Sequence, residues 1–382
     1  QSAKTKLYEI CELASKFFEK QLYESGPGRR ALQYLLNRGL SHESIKSFRL
    51  GFAPDSWNAL SDFLQRKYQA GEIISAGLAI KKDDGGHYDR FRSRIMFPIF
   101  DLSGQVVGFS GRIYRPSAEI ALPSGLSAPD IVGAGLLGRG VKDRGNFGTG
   151  TPSAEIARPG AEIKPVFDAT SQKDLGTAAQ REDNIGQGDA RHEDAKYINT
   201  PQTPIYDKSR ILYGLDRAKL AVRQNNRCLV VEGNMDVIMS HQAGAANAVA
   251  TSGTALTDGH LKIIKRYTDN LDLCFDADTA GTMATNRGVD LALAKGFNVG
   301  IVGIDDPEVK DPADYVKKYG ANWAEYAQRS KPFLEFFFES ARKEFDVATA
   351  LGKKLFSQKL LPFVAAIASK VEQAHWVSEI AL

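Results

Sequence analysis

The chain has 382 residues, of which 43% are hydrophobic and 25% charged, with 49 basic side chains against 46 acidic. That balance excludes a wholly disordered chain, a collagen-like chain and a small disulfide scaffold, and the length predicts two or three domains, each able to bury its own core. The apolar runs, such as 94–100 and 228–231, fall far short of the ~20 residues of a membrane helix, so no membrane partner is expected.

From the N-terminus, residues 3–36 place Leu7, Ile10, Leu13, Ala14, Phe17 and Phe18 on one helical stripe, interrupted by Gly26-Pro-Gly28. Around 87–114 the period shortens. Ile95, Phe97 and Ile99 alternate, a turn follows at Asp101-Leu-Ser-Gly104, and Val106, Gly108, Ser110 and Arg112 alternate again, which predicts a β-hairpin. Residues 116–195 then hold 12 glycines but only two aromatics, Phe147 and Phe167, and repeat Pro-Ser-Ala-Glu-Ile-Ala at 116–121 and 152–157. So little apolar surface does not offset ordering entropy, and the segment reads as a flexible insertion.

Beyond it, strands and helices alternate. Strands are expected at 229–231, 248–250, 271–275 and 299–304, with helices at 235–243, 257–267 (capped by Thr257), 282–295 and 313–319. Repeated βα units predict a mainly parallel sheet covered on both faces. Apolar positions at helical spacing from Phe333 to Ile367 predict closing helices.

In open α/β sheets ligands bind beyond the carboxyl ends of strands, and here three such ends carry acids. Glu232 opens Glu232-Gly-Asn-Met-Asp236, Asp276 and Asp278 form Asp276-Ala-Asp278, and Asp305, Asp306 and Asp311 follow the last strand. Converging carboxylates repel one another without a cation, and their oxygens suit Mg²⁺. Each motif alone reads as a solvated turn or a helix cap; together, with Gly233 and Gly281 allowing close approach, they predict a metal site. Charge is segregated to match: residues 1–115 carry 18 basic and 12 acidic side chains, while 271–330 carry 6 and 10. A polyanion held beside bound cations needs such a division. Cys11, Cys228 and Cys274 form no CxxC or Cys/His cluster, which argues against zinc in this chain and fits a reducing cytoplasm. Gln1 and the lack of a leader pattern read as a trimmed frame.

The acidic constellation resembles the Toprim fold. Flanking motifs at Tyr88–Ile99, Gly104–Arg112, Lys196–Pro201, Tyr206–Arg210 and Leu212–Gly214 resemble the RNA-polymerase core of bacterial DnaG-type DNA primases, with further similarity at Asn37–Ser41, Gly51–Pro54 and Glu372–Trp376. The resemblance implies an α/β chain: a basic N-terminal α+β subdomain (1–115 plus 196–227), an insertion (116–195), a Toprim domain (228–320) and a C-terminal helical subdomain (321–382). It implies template-directed synthesis of RNA primers on single-stranded DNA from NTPs by two-metal transfer, with nascent RNA held in the site.

Residue by residue, the resemblance assigns Glu232, Asp276 and Asp278 to catalysis. It assigns these three with Asp236 and Asp311 to Mg²⁺ or Mn²⁺, and Arg38, Arg90, Arg92, Arg112, Lys196, Tyr197, Asn199 and Lys208 to nucleotide and nucleic acid. Glu232 is either a ligand or the base for the attacking hydroxyl. A solvated surface remains the plain alternative for the cations, above all for Arg94 and Arg210. Two positions depart from the pattern: Asn234 stands where the family often has Tyr, and Ala313 where it often has Asp. A replicative helicase and a single-strand-binding protein are implied as partners through regions outside this chain, in a replisome-associated setting. The competing readings are a Toprim topoisomerase or nuclease, and a non-catalytic adaptor for single-stranded DNA.

Overall fold

The computed structural model describes residues 2–83, 85–115, 195–275, 279–367 and 369–381, with the backbone alone over 279–286. The first helix, α1 (Ala3–Glu24), is capped by Ser2 and buries Leu7, Ile10, Ala14 and Phe18 of the predicted stripe, with Leu13 and Phe17 half-buried. The expected break falls at Ser25, whose hydroxyl accepts from Gly28 N and caps α2 (Gly26–Asn37), with Pro27 in the first turn. Short helices α3 (His42–Ser47), α4 (Ala59–Leu64) and α5 (Ala70–Ser75) and the small hairpin β2 (Ala79–Lys81) with β3 (His87–Asp89) complete this part.

Its sheet is antiparallel, in the order β1 (Gly51–Ala53), β4 (Arg94–Phe100), β5 (Val106–Ile113), β6 (Tyr197–Asn199). The predicted hairpin is β4–β5, registered with Met96 opposite Gly111. Pro98 is tolerated because β1 pairs only with Arg94–Met96, so no neighbouring strand calls on its missing N–H. α1 lies so close to β1 that a Cβ on Gly51 would sit 2.5 Å from the Phe18 Cβ, and only glycine fits.

After α6 (Leu215–Gln224), a five-stranded sheet runs in the order β11 (Lys331–Pro332), β10 (Asn298–Ile301), β9 (Asn270–Cys274), β7 (Cys228–Val231), β8 (Ala248–Ala250). Only β11 is antiparallel. Between the strands come α7 (Asn234–Gln242), α8 (Asp258–Ile264, capped by Thr257 as expected) and α9 (Thr279–Ala294). Then follow α10 (Pro312–Tyr319), α11 (Asn322–Tyr326), α12 (Phe333–Glu344), α13 (Ala350–Ala366) and α14 (Lys370–Ala381).

One face of this sheet shares a core with the first sheet: Leu229, Val231, Val237 and Met239 belong to the same buried cluster as Phe52, Ile95, Phe97 and Ile99. The other face is covered by the closing helices through Phe333, Phe337, Phe356 and Leu360. Each such side chain contributes about 1.5–3 kcal/mol on burial. The shared cluster brings the carboxyl ends of the parallel strands beside β5 and β6.

Candidate active site

The parallel register sets the acids. Val231 pairs with Cys274 on one side and Ala250 on the other, so Glu232, Phe275 and Thr251 leave the sheet at one level. Asp276 and Asp278, the pair expected just beyond, lie outside the described residues. Glu232 is half-buried. Asp236, one turn into α7, is only 6% exposed and both its oxygens are engaged: Oδ2 accepts from Gly233 N at 2.9 Å, and Oδ1 from Ala313 N at 3.3 Å. It ties the loop after β7 to the first turn of α10.

Asp311 caps α10, its Oδ1 accepting from Asp314 N at 2.7 Å. Burial raises its carboxyl above the ordinary value and the charge of Asp314 adds to the rise, while the Asp314 N–H, Arg38 and Lys196 pull the other way. Those two cations come from distant chain segments, the C-cap of α2 and the entry to β6. Tyr197 feels the charges of both Arg112 and Asp236. Burial lifts its hydroxyl pKa, Arg112 opposes the rise, and Asp236 and Tyr34 reinforce it. Arg112 Nη1 donates to the Tyr197 hydroxyl at 3.1 Å, and its guanidinium lies 5.5 Å from the Tyr197 ring and 5.9 Å from that of Tyr34. Asn199 donates to the Ser252 carbonyl at 2.9 Å, joining β6 to the loop after β8.

Arg90 and Arg92 form a second group. The Arg90 Nε donates to Gly77 O at 3.0 Å; burial lowers its pKa, and it forms no ion pair among the described residues. Arg92 lies 4.1 Å over the ring of Trp57, which is 54% exposed, and 5.1 Å from Tyr88. Trp57 was missed in the sequence, where no Lys or Arg lies between Arg49 and Arg66 to mark it; only the fold sets Arg92 and Tyr88 at its ring, as in a stacking platform. Lys208 is exposed, with its carbonyl bonded to His260. The surface reading fits Arg210 but fails for Arg94, which is 3% exposed because its Nη1 donates to the carbonyls of Gly111 (3.1 Å) and Ala195 (2.9 Å).

Among the described residues no three Asp, Glu, His or Cys side chains gather closely enough to hold a metal by themselves. The donors present are nonetheless of the right chemistry. Glu232 and Asp311 offer carboxylate oxygen at the carboxyl edge of the sheet, and a buried carboxyl with a second acid beside it is stabilised by a hard cation.

A parallel sheet with acids at its strand ends, faced by cations from an antiparallel sheet, defines a Toprim-type catalytic core. Three family models agree: the N-terminal domain of the DNA primase catalytic core matches residues 17–121 and 184–219, a Toprim-like model matches 229–316, and the DnaB-helicase binding domain of primase matches 334–382. The last falls on this chain, whereas the sequence had placed helicase contact outside it. The chain is 30% identical to a crystallised DNA primase domain from Pseudomonas aeruginosa, covering 98% of this chain and 95% of that one with a TM-score of 0.68. It is also similar to a DnaG primase catalytic domain bound to ssDNA (27% identity, 99% and 98% covered, TM-score 0.65). Over 362 residues it is 30% identical to the DNA primase of Legionella pneumophila, covering 94% of this chain and 49% of that protein. The chain belongs to the bacterial DnaG-type DNA primase family. It spans about half the length of the primase sequences it matches.

Proposed function

We propose that this chain is the catalytic core of a DNA primase that joins ribonucleotides from NTPs on a single-stranded DNA template. The observation that carries the reading is the meeting of acids that follow the parallel strands with cations from the N-terminal part, namely Asp311 at the N-cap of α10 facing the charges of Arg38 at the end of α2 and Lys196 at the entry to β6. Glu232, Asp276, Asp278 and Asp311 are the residues that would hold Mg²⁺ or Mn²⁺. When bound, such ions lower the pKa of an attacking hydroxyl and stabilise charge on leaving phosphate oxygens. The protein's own work is positioning. Arg38, Arg112 and Lys196 neutralise triphosphate or backbone phosphates, and Tyr197 and Asn199 orient the nucleotide. Arg90, Arg92, Lys208 and Trp57 receive the single strand and the nascent RNA by charge and stacking. Asp236, whose two oxygens each accept one backbone N–H, positions the loop after β7, and each oxygen keeps a lone pair with which it could also face a cation.

The helicase partner fits residues 334–382, and a single-strand-binding protein and a cytoplasmic, replisome-associated setting complete the proposal. Among the described residues no helix is long and apolar enough to cross a membrane. The test is incorporation of labelled NTPs on a single-stranded template with and without Mg²⁺, using chains with and without residues 116–195. No Mg²⁺-dependent product from either chain refutes the reading.

A further inference from the structure

The turn that carries Trp57 is fastened from a distant strand. α4 opens after Asn58, whose side chain makes no cap bond, so the first N–H groups of the helix need an acceptor from elsewhere. Asp89, the last residue of β3, supplies it. Its Oδ2 accepts from Leu60 N at 2.7 Å, and its Oδ1 accepts from Ser61 N at 2.9 Å and from the Ser61 hydroxyl at 2.5 Å. The Asp89 N–H donates to Trp57 O at 2.7 Å, and the Asp89 carbonyl accepts from Arg92 Nη1 at 2.6 Å.

One residue therefore grips both halves of the stacked pair. Asp89 is 2% exposed and Ser61 1%, whereas the Trp57 ring stands out at 54%. Bonds to a buried carboxylate are short and strong, and three of them fix the segment that donates them. The ring itself is met by the Arg92 guanidinium 4.1 Å above it and by the edge of Tyr88, with centroids 5.4 Å apart. Its placement is thus inherited from the backbone that Asp89 holds.

We infer that Asp89 is a positioning residue: by fixing residues 57–61 against β3 it keeps the Trp57 ring on the Arg92 guanidinium and so sets the aromatic face on which a base of the single strand stacks. The inference rests on the reading that Trp57 and Arg92 receive that strand. Asp89→Asn keeps the size of the side chain but turns an NH₂ toward one of its N–H donors. Ser61→Ala removes one of the three donors and is the milder variant; Trp57→Leu removes the platform. Circular dichroism and thermal melting check that each is folded. Fluorescence anisotropy gives the affinity for a fluorescein-labelled oligothymidylate. Subtracting the spectrum of each chain's Trp57→Leu counterpart isolates the emission of Trp57.

Trp57→Leu should weaken binding about tenfold, the worth of one lost base stack. Asp89→Asn should weaken it about threefold to fivefold and shift the Trp57 emission, with Ser61→Ala moving both in the same direction by less. In the Trp57→Leu background Asp89→Asn should weaken binding no further, although its lowered melting temperature persists; a general loosening of the fold would cost affinity equally in both backgrounds. If Asp89→Asn does not fold, Ser61→Ala and its Trp57→Leu double variant carry the same comparison. Unchanged affinity and emission in the folded variant, or an equal loss of affinity without Trp57, overturns the inference. Failure of the strand reading is separable: if Trp57→Leu binds the oligothymidylate as the wild type does while Asp89→Asn still shifts the Trp57 emission, the strand contact is refuted and the placement of the ring by Asp89 is upheld.

Discussion

Asp236→Asn separates a clamp from a metal ligand. In the wild type the carboxylate accepts Gly233 N at 2.9 Å and Ala313 N at 3.3 Å, in a position 6% exposed. Hydrogen bonds to a buried charged group are worth about 1.5–3 kcal/mol each, and an unsatisfied buried donor costs a further 1–3 kcal/mol or so. Asparagine can accept one of these bonds, but it turns its NH₂ toward the other donor. Taking the longer bond at the low end, the loss comes to about 3 kcal/mol. A urea slope on the order of 3 kcal/mol per molar then puts the unfolding midpoint about 1 M lower. Primer synthesis by the folded fraction should fall less than in Glu232→Gln. The assay is urea unfolding followed by fluorescence, run beside Mg²⁺ titration of synthesis. An unchanged midpoint with a large rise in the Mg²⁺ requirement would refute the clamp and return Asp236 to the metal ligands.

Asp276→Ala and Asp278→Ala should abolish primer synthesis with the melting temperature unchanged; normal yield of labelled product from Asp276→Ala would falsify the metal assignment. Lys196→Ala and Arg90→Ala should weaken nucleotide or template binding, and Arg90→Ala should flatten the slope of log affinity against log salt by about 1, read by fluorescence anisotropy. Arg227 Nη1 lies 2.7 Å from the Asp272 carboxylate, which is 1% exposed, so Arg227→Leu strands a buried charge and should cost about 3 kcal/mol. Burial raises the Asp272 carboxyl, with Arg227 opposing the rise; removing Arg227 should therefore make stability fall more steeply as pH climbs above the ordinary carboxylate range, whereas a flat pH profile in the variant would contradict this. Asp306 is pulled down to about 2, chiefly by Lys318. Its contribution is present above the ordinary carboxylate range and lost as pH falls toward 2, and Lys318→Met should weaken that acid-side dependence in thermal melts, the Tyr319 hydroxyl and Glu308 N–H holding the remainder.

The parallel sheet was legible because βα alternation leaves few other arrangements, and with it came the strand-end placement of Glu232. Boundaries were less legible. The last parallel strand was expected to reach Ile304 but ends at Ile301: Phe336 packs where a Cβ on Gly303 would sit, 2.5 Å away, and the chain turns off the ladder. Asp236 was assigned as a ligand by the family resemblance, and only the fold brings Ala313 N, 77 positions along, to its carboxylate. Arg94 could not be told from a surface cation, because the carbonyls that satisfy it meet only when β4, β5 and the entry to β6 are assembled. The Trp57 platform likewise needs β3 to bring Tyr88 and Arg92 to its ring.

The Arg94 guanidinium joins Gly111 to Ala195, and Ile113 N donates to Lys196 O at 2.9 Å. The segments on either side of positions 116–194 are therefore joined to one another within one sheet by bonds made between described residues. Closing a longer detour costs little more than closing a short one. Because Arg94 and Ile113 make this junction from outside positions 116–194, a change of length between those positions leaves these bonds' own donors and acceptors in place.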